Sequence, residues 1–288
     1  MRRKMLGILI STIFLLNVVV VAEPIFENNK ENEQTNFDDP VPTWSNCNSW
    51  TYTINDFTVD YDDGSMKVLM DGRIDDFKWT VSDTSGSDYV VDFTGKLTAN
   101  SFDIYLPLTS FILDVTGSIN PSLTRLSGTI IFTKSDLEIK DISAELKGII
   151  LAKIAPIPIN LPIPFKMTVD SDLSTVFPIF DFPLSDHKFW ALPNIDATMN
   201  IKAGGLFGII HFPITFFSSY PFIPLAFHCK PKIDVTVEAG TFSAYEISST
   251  FFELFEYYYA PSVGNLVKID ATMPNGEVHG ELKSYNYP

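Results

Sequence analysis

From residue 44 to about residue 151, apolar and polar residues alternate with a period of two. Trp50, Tyr52 and Ile54 alternate with Thr and Asn; Phe57, Val59 and Tyr61 follow and run into Asp62-Asp63-Gly64. Met66, Val68 and Met70 lead to Asp71-Gly72, after which Phe77, Trp79 and Val81 resume. The pattern returns in Phe102, Ile104 and Leu106, in Phe111, Leu113 and Val115, in Leu137 and Ile139, and in Ile142, Ala144 and Leu146. A period of two sends alternate side chains to opposite faces, so each run predicts a strand of about five to eight residues with one buried face. Asp-Gly, Asn and Ser clusters between the runs predict turns, and the whole predicts an antiparallel meander. Helical candidates are few: residues 120–126 fit a short turn, and residues 249–257 fit either a helix or a strand.

The C-terminal part keeps the same period. Val235, Val237 and Ala239 alternate with polar residues, Gly240 interrupts, and Phe242, Tyr245 and Ile247 resume, which predicts two strands around a glycine-permitted bend. A tyrosine-rich strand over residues 256–259 enters an Ala260-Pro-Ser-Val-Gly264 turn, and Leu266-Val-Lys-Ile269 leaves it as the next strand. The expected fold class is all-β with at most one or two short helices: an antiparallel meander forming a curved sheet, a half-barrel or a sandwich.

Residues 148–230 differ from the rest. In residues 155–165, Pro156, Pro158, Pro162 and Pro164 fall on one parity and Ile157, Ile159, Leu161, Ile163 and Phe165 on the other. In an extended chain, prolines on one parity remove donors from one edge only, so the segment reads as a capped edge strand or as polyproline II. Residues 203–227 carry no charge over about 25 positions, long enough to span a bilayer as a helix. Pro213, Pro221 and Pro224 oppose that helix at about 3 kcal/mol each, leaving a buried core, a lid or pocket wall, or a membrane-touching loop.

Residues 176–288 carry a resemblance. Ala239-Gly-Thr-Phe-x-x-Tyr245, preceded by Phe182-Pro183-Leu184 and Trp190 and followed by the tyrosine-rich strand, resembles a secreted bacterial and archaeal domain family of unknown function. That resemblance implies a fold similar to the half-barrels of periplasmic lipoprotein carriers. The long Pro- and Phe-rich stretch between the motifs departs from the family pattern.

The N-terminus adds an address. Arg2, Arg3 and Lys4 precede an apolar run over residues 6–21, and Val20 and Ala22 occupy −3 and −1 of a cleavage site before Glu23. The run of about 16 residues is short for a membrane span, so residues 1–22 read as a cleaved signal peptide and the chain as secreted or held in a prokaryotic cell envelope. Residues 23–43 are acidic and Asn-rich and read as a disordered spacer. About 266 residues then remain, divided into an N-terminal meander (44–165) and a C-terminal β region (166–288), packed as one unit. The formal net charge of −15 falls to about −18 once the basic leader is removed, which opposes binding to nucleic acid. Cys47 and Cys229 are the two cysteines. In an exported chain such a pair is expected to be bridged, closing a loop of about 180 residues worth about 5 kcal/mol.

Catalytic chemistry finds little support. His187, His211, His228 and His279 lack ligand spacing, and His228 beside Cys229 makes only two ligands. The chain has no Gly-x-Ser-x-Gly elbow and no phosphate-cradling glycine loop. Asp60-x-Asp62-Asp63-Gly64 begins like a calcium loop but lacks a closing carboxylate. Asp170 and Asp172 flank a serine on one strand face, a spacing that suits acid–base work but equally a solvated face. No catalytic residue, metal ligand or cofactor is assigned. What stands out is aromatic content: 14% of the chain and 24 phenylalanines. The expectation is an apolar concave face that takes a lipid or another hydrophobic small molecule, with possible contact to a membrane surface. Phe207, Phe212, Phe216, Phe217, Tyr220 and Phe222 would be its wall or lid. A surface or structural protein whose Phe-rich segment fills its own core is the other expectation.

Overall fold

The computed structural model describes residues 38–62, 67–107, 112–119, 121–154, 161–173, 178–191, 197–205, 210–216, 226–249, 255–273 and 276–288. They form one antiparallel sheet of fifteen strands that stays open rather than closing into a barrel. The N-terminal part supplies β1 (Ser49–Asp62), β2 (Lys67–Asp83), β3 (Asp88–Pro107), β4 (Ile112–Ile119), β5 (Arg125–Thr133), β6 (Ile139–Ile154) and β7 (Leu161–Leu173). Then come β8 (Phe189–Ala191), β9 (Ala197–Gly205) and β10 (Ile210–Phe216). The C-terminal part supplies β11 (Ala226–Val237), β12 (Gly240–Ser249), β13 (Phe255–Ala260), β14 (Asn265–Met273) and β15 (Gly276–Asn286). A 3-10 turn at Pro121–Leu123 falls inside the segment read as a short turn.

The strands follow chain order except at two places. The order is β10-β9-β7-β6-β4-β3-β2-β1-β15-β14-β13-β12-β11-β8. First and last strands meet in mid-sheet, Trp50 opposite Tyr285 and Ile54 opposite Gly280, and β8 leaves the order to pair with β11. β4 and β5 are two halves of one interrupted strand. Both run antiparallel to β3, β4 against Ala99–Pro107 and β5 against Asp88–Gly95, with the 3-10 turn between them.

Several strands are longer than the alternation predicted. Asp71-Gly72 reads as a turn, yet β2 continues through it with a register shift against β3, and Gly72 is needed inside the sheet. A Cβ there would lie 2.3 Å from the Thr98 carbonyl oxygen and 2.8 Å from the Phe57 ring. Gly240, with φ +136°, does make the predicted bend between β11 and β12. In β7, Pro162 and Pro164 pair with β6 opposite Leu151 and Ile149, whereas the β9 ladder begins only at Phe165. Among the described residues, these prolines therefore lie where the strand has a neighbour on one side, as a donor-stripped edge requires. Residues 155–160 of that run lie outside the described residues.

One face carries the core in a single cluster that joins both halves of the chain: Trp50, Trp79, Phe93 and Phe132 from one, Tyr245, Tyr257, Tyr259 and Leu266 from the other. The sheet curls to allow this. Residues 178–184 cover the β12–β13 wing, where Phe180 and Phe182 pack on Tyr257 and Tyr259 and the Tyr257 hydroxyl donates to the Ile179 carbonyl. No described helix is long and apolar enough to cross a membrane.

The expected Cys47–Cys229 bridge is not formed. Both are free thiols and lie beyond disulfide distance. Cys47 is exposed in the turn before β1, its N–H held by the Val81 carbonyl. Cys229 is buried at the β8–β11 wing, its backbone bonded to Lys188 and His187. Each cysteine is pinned by ladder-type hydrogen bonds to a different part of the sheet.

Candidate functional site

The apolar face is built by register. The row that begins at buried Ala144 continues across the ladder through Val169 and Ile201 to Phe212. A second row runs from Leu146 through Met167 and Ala203 to Ile210. Phe216 lies four residues beyond Phe212 on β10, opposite Ala197, so positions 212 and 216 fall on one parity of the strand. Of the six aromatic residues expected to form a wall or lid, the structure thus places Phe212 and Phe216 on one strand. Phe207, Phe217, Tyr220 and Phe222 lie outside the described residues.

At mid-sheet the same face is filled by the chain itself. The β13–β14 turn, residues 261–264, folds over it with Val263, Gly264, Asn265 and Leu266 all buried. Three aromatic side chains donate to it: Trp44 Nε1 to the Gly264 carbonyl at 2.9 Å, Trp50 Nε1 to the Val263 carbonyl at 2.9 Å, and the Tyr52 hydroxyl to the Leu266 carbonyl at 3.1 Å. Gly264 sits at φ +65°, the left-handed conformation that lets the turn reverse. Trp44 is wedged among Trp50, Tyr89 and Phe132, with ring centroids at 5.1, 5.2 and 5.4 Å. Its backbone N–H donates to the Tyr89 hydroxyl at 3.1 Å. Burial raises the Tyr52 hydroxyl well above its ordinary range, so it remains a neutral donor.

Asp39 ties the chain leading to Trp44 onto the opposite wing. It exchanges backbone hydrogen bonds with Leu184, pairs with Lys232 at 2.5 Å and accepts from the Tyr245 hydroxyl at 2.7 Å. Residues 38–43, read as the end of a disordered spacer, are therefore part of the fold. Composition could not reveal this, because the anchor is one carboxylate whose partners lie far along the chain. The signals that sequence reading passed over were a tryptophan directly after a polar spacer, and Val263 and Leu266 in and beside a turn.

The polar candidates stay apart. Asp170 is exposed on β7, opposite Ser143 and Asn200. His279 Nδ1 lies 2.9 Å from Asp270 Oδ1. Although burial works against it, the Asp270 carboxyl is held below its usual range by Lys268 and His279. His228 is stacked on Phe189 at 4.2 Å with His187 beyond at 6.0 Å, and burial lowers its pKa. Burial also pushes the Cys229 thiol up to about 12, which makes it an inert core group. Among the described residues, no group of three or more His, Cys, Asp or Glu could hold a metal ion. Buried Trp79 Nε1, in the ring cluster, and Asn265 Nδ2, in the β13–β14 connection, have no hydrogen-bond partner among the described residues. The chain matches no protein-family model, no curated protein and no solved structure.

Proposed function

We propose that this is an exported, non-catalytic protein of the cell envelope that binds a lipid or another hydrophobic ligand on the concave face of its sheet. One observation carries the reading: the sheet is open, and the register row that starts at buried Ala144 continues past the packed centre through β7 and β9 to position 212 on β10. An apolar body laid there gains about 25 cal/mol per Å² of apolar area removed from water. The donors Trp79 Nε1 and Asn265 Nδ2, unpaired among the described residues, suit a ligand or water bearing an acceptor, since a buried donor left unpaired costs about 1–3 kcal/mol. The basic and apolar leader supports export, and the acidic balance supports a partner other than nucleic acid. Contact with a membrane surface, and the likeness of residues 176–288 to an envelope domain family, belong to the same proposal.

A second reading has its own support. Trp44, Trp50, Tyr52 and Phe132 fill mid-sheet with the chain's own rings, as in a structural surface protein whose aromatic residues serve only as core. Native mass spectrometry with organic extraction, on protein purified from its own envelope fraction, separates the two. A near-stoichiometric lipid that is lost in a folded Phe216→Asp variant supports the ligand reading. A bare protein, with that variant unfolding, supports the structural one.

A further inference from the structure

We propose that residues 38–44 form a releasable strap, with Trp44 as the internal occupant of the apolar face, displaced when a ligand with an acyl chain enters. The proposal rests on the ligand-binding reading above.

The strap crosses the face rather than joining the sheet. Asp39 is tied to β11 and β12, whereas Trp44 touches β1, β3 and β5. From β12 to β3 is six strand spacings, about 29 Å measured along the sheet. Five residues reach at most about 18 Å, so the strap spans a curl, with Tyr245 and Tyr89 reaching inward from either side. Between its two ends Val41 packs partly buried against the core. Pro40 and Pro42 have no N–H to donate, and Asp39–Leu184 is an isolated bridge outside the named strands. Residues 38–44 can therefore leave without breaking any ladder of the fifteen-stranded sheet, while Cys47 and Asn48 stay bonded to Val81.

Release would be an exchange rather than a loss. Trp44 is 3% exposed and fills a box of three aromatic rings closed by the Gly264 carbonyl. An acyl chain entering that box replaces one buried apolar body by another, so polar ties at the far end of the strap set the balance. The Asp39–Lys232 pair is partly exposed, with side chains at 24% and 34% of full exposure. Such pairs are weak, which suits a latch that must open.

The strap can be locked covalently. Asp39 and Leu184 exchange both backbone hydrogen bonds, a geometry that places Cα atoms about 5.5 Å apart and within reach of a disulfide. Asp39→Cys and Leu184→Cys are combined in a chain carrying Cys47→Ser and Cys229→Ala, the bridge is verified by mass, and cis-parinaric acid is titrated by fluorescence. The expected result is binding at least tenfold weaker in the oxidised form, regained on reduction. A separate Asp39→Ala variant is expected to bind about two- to fivefold more tightly than the natural chain. Equal binding by oxidised and reduced forms overturns the strap while leaving the hydrophobic site standing. No binding by any form overturns both the strap and the ligand reading on which it rests.

Discussion

The indole N–H of Trp44 donates to the carbonyl of Gly264 at 2.9 Å, joining positions 220 residues apart in the chain. Around this bond the segment before β1, the middle of the sheet and the β13–β14 turn become one core. Truncating Trp44 to Ala removes a buried ring from a box of three others and leaves a carbonyl without its donor. The expected loss is about 3–5 kcal/mol of unfolding free energy in a denaturant titration. Trp44→Phe, which keeps most of the volume, should lose clearly less; equal losses would show that packing contributes little there.

Gly264 makes a complementary prediction. Its φ of +65° disfavours any side chain, and an added Cβ would come within 2.5 Å of the Tyr287 ring. Gly264→Ala is expected to cost more than about 1–2 kcal/mol, the left-handed penalty alone. A denaturation midpoint unchanged from the natural chain would contradict this geometry of the β13–β14 turn.

Gly72 tests the long-strand reading of β2. Its Cβ would meet backbone, the Thr98 carbonyl at 2.3 Å, rather than the end of a flexible side chain. Gly72→Ala should therefore destabilise by about 1–3 kcal/mol, the range for overpacking. An Asp71-Gly72 hairpin turn would instead tolerate Ala or lose register, and amide exchange across β2 distinguishes the two.

The two thiols should behave differently. Cys47 is exposed, whereas Cys229 is buried and its thiol is pushed up to about 12. A thiol reagent added to native protein should label one cysteine at Cys47 and reach Cys229 only after unfolding. Protein that labels at neither cysteine after unfolding until it is reduced would contradict the structure.

His228 gives the β8–β11 wing a pH dependence. Burial lowers its pKa in the folded state, so the unfolded chain binds the proton more readily. The stability that neutral His228 confers is present above the unfolded value near 6.5 and is lost as pH falls from there through the lower folded value. His187 and Lys230 disfavour the imidazolium and Glu246 favours it. The difference in melting temperature between the natural chain and His228→Asn should shrink from pH 8 to pH 5. A constant difference would rule out this linkage.

Much of the architecture was legible before any coordinates. Period-two alternation in β1, β2, β3 and β6 determined an all-β chain and named the buried face, because a pleated strand has only two sides. Gly240 marked its bend because few other residues adopt that backbone. The prolines at 162 and 164 marked a one-sided strand because they cannot donate. Of the expected site, Phe212 and Phe216 were legible as apolar positions, and register aligned position 212 with Ala144 across three ladders. Only the tertiary structure decided which strands are neighbours: that β1 lies beside β15, that β8 leaves chain order for β11, and that β2 passes through Asp71-Gly72. It alone left Cys47 and Cys229 apart, brought Asp39 to Lys232 and set Trp44 against Gly264. Alternation specifies which face of a strand is dry, and that is a property of nearest neighbours along the chain. Pairing across 220 residues depends on loop closure, curl and the fit of particular rings, none of which leaves a periodic trace in the sequence.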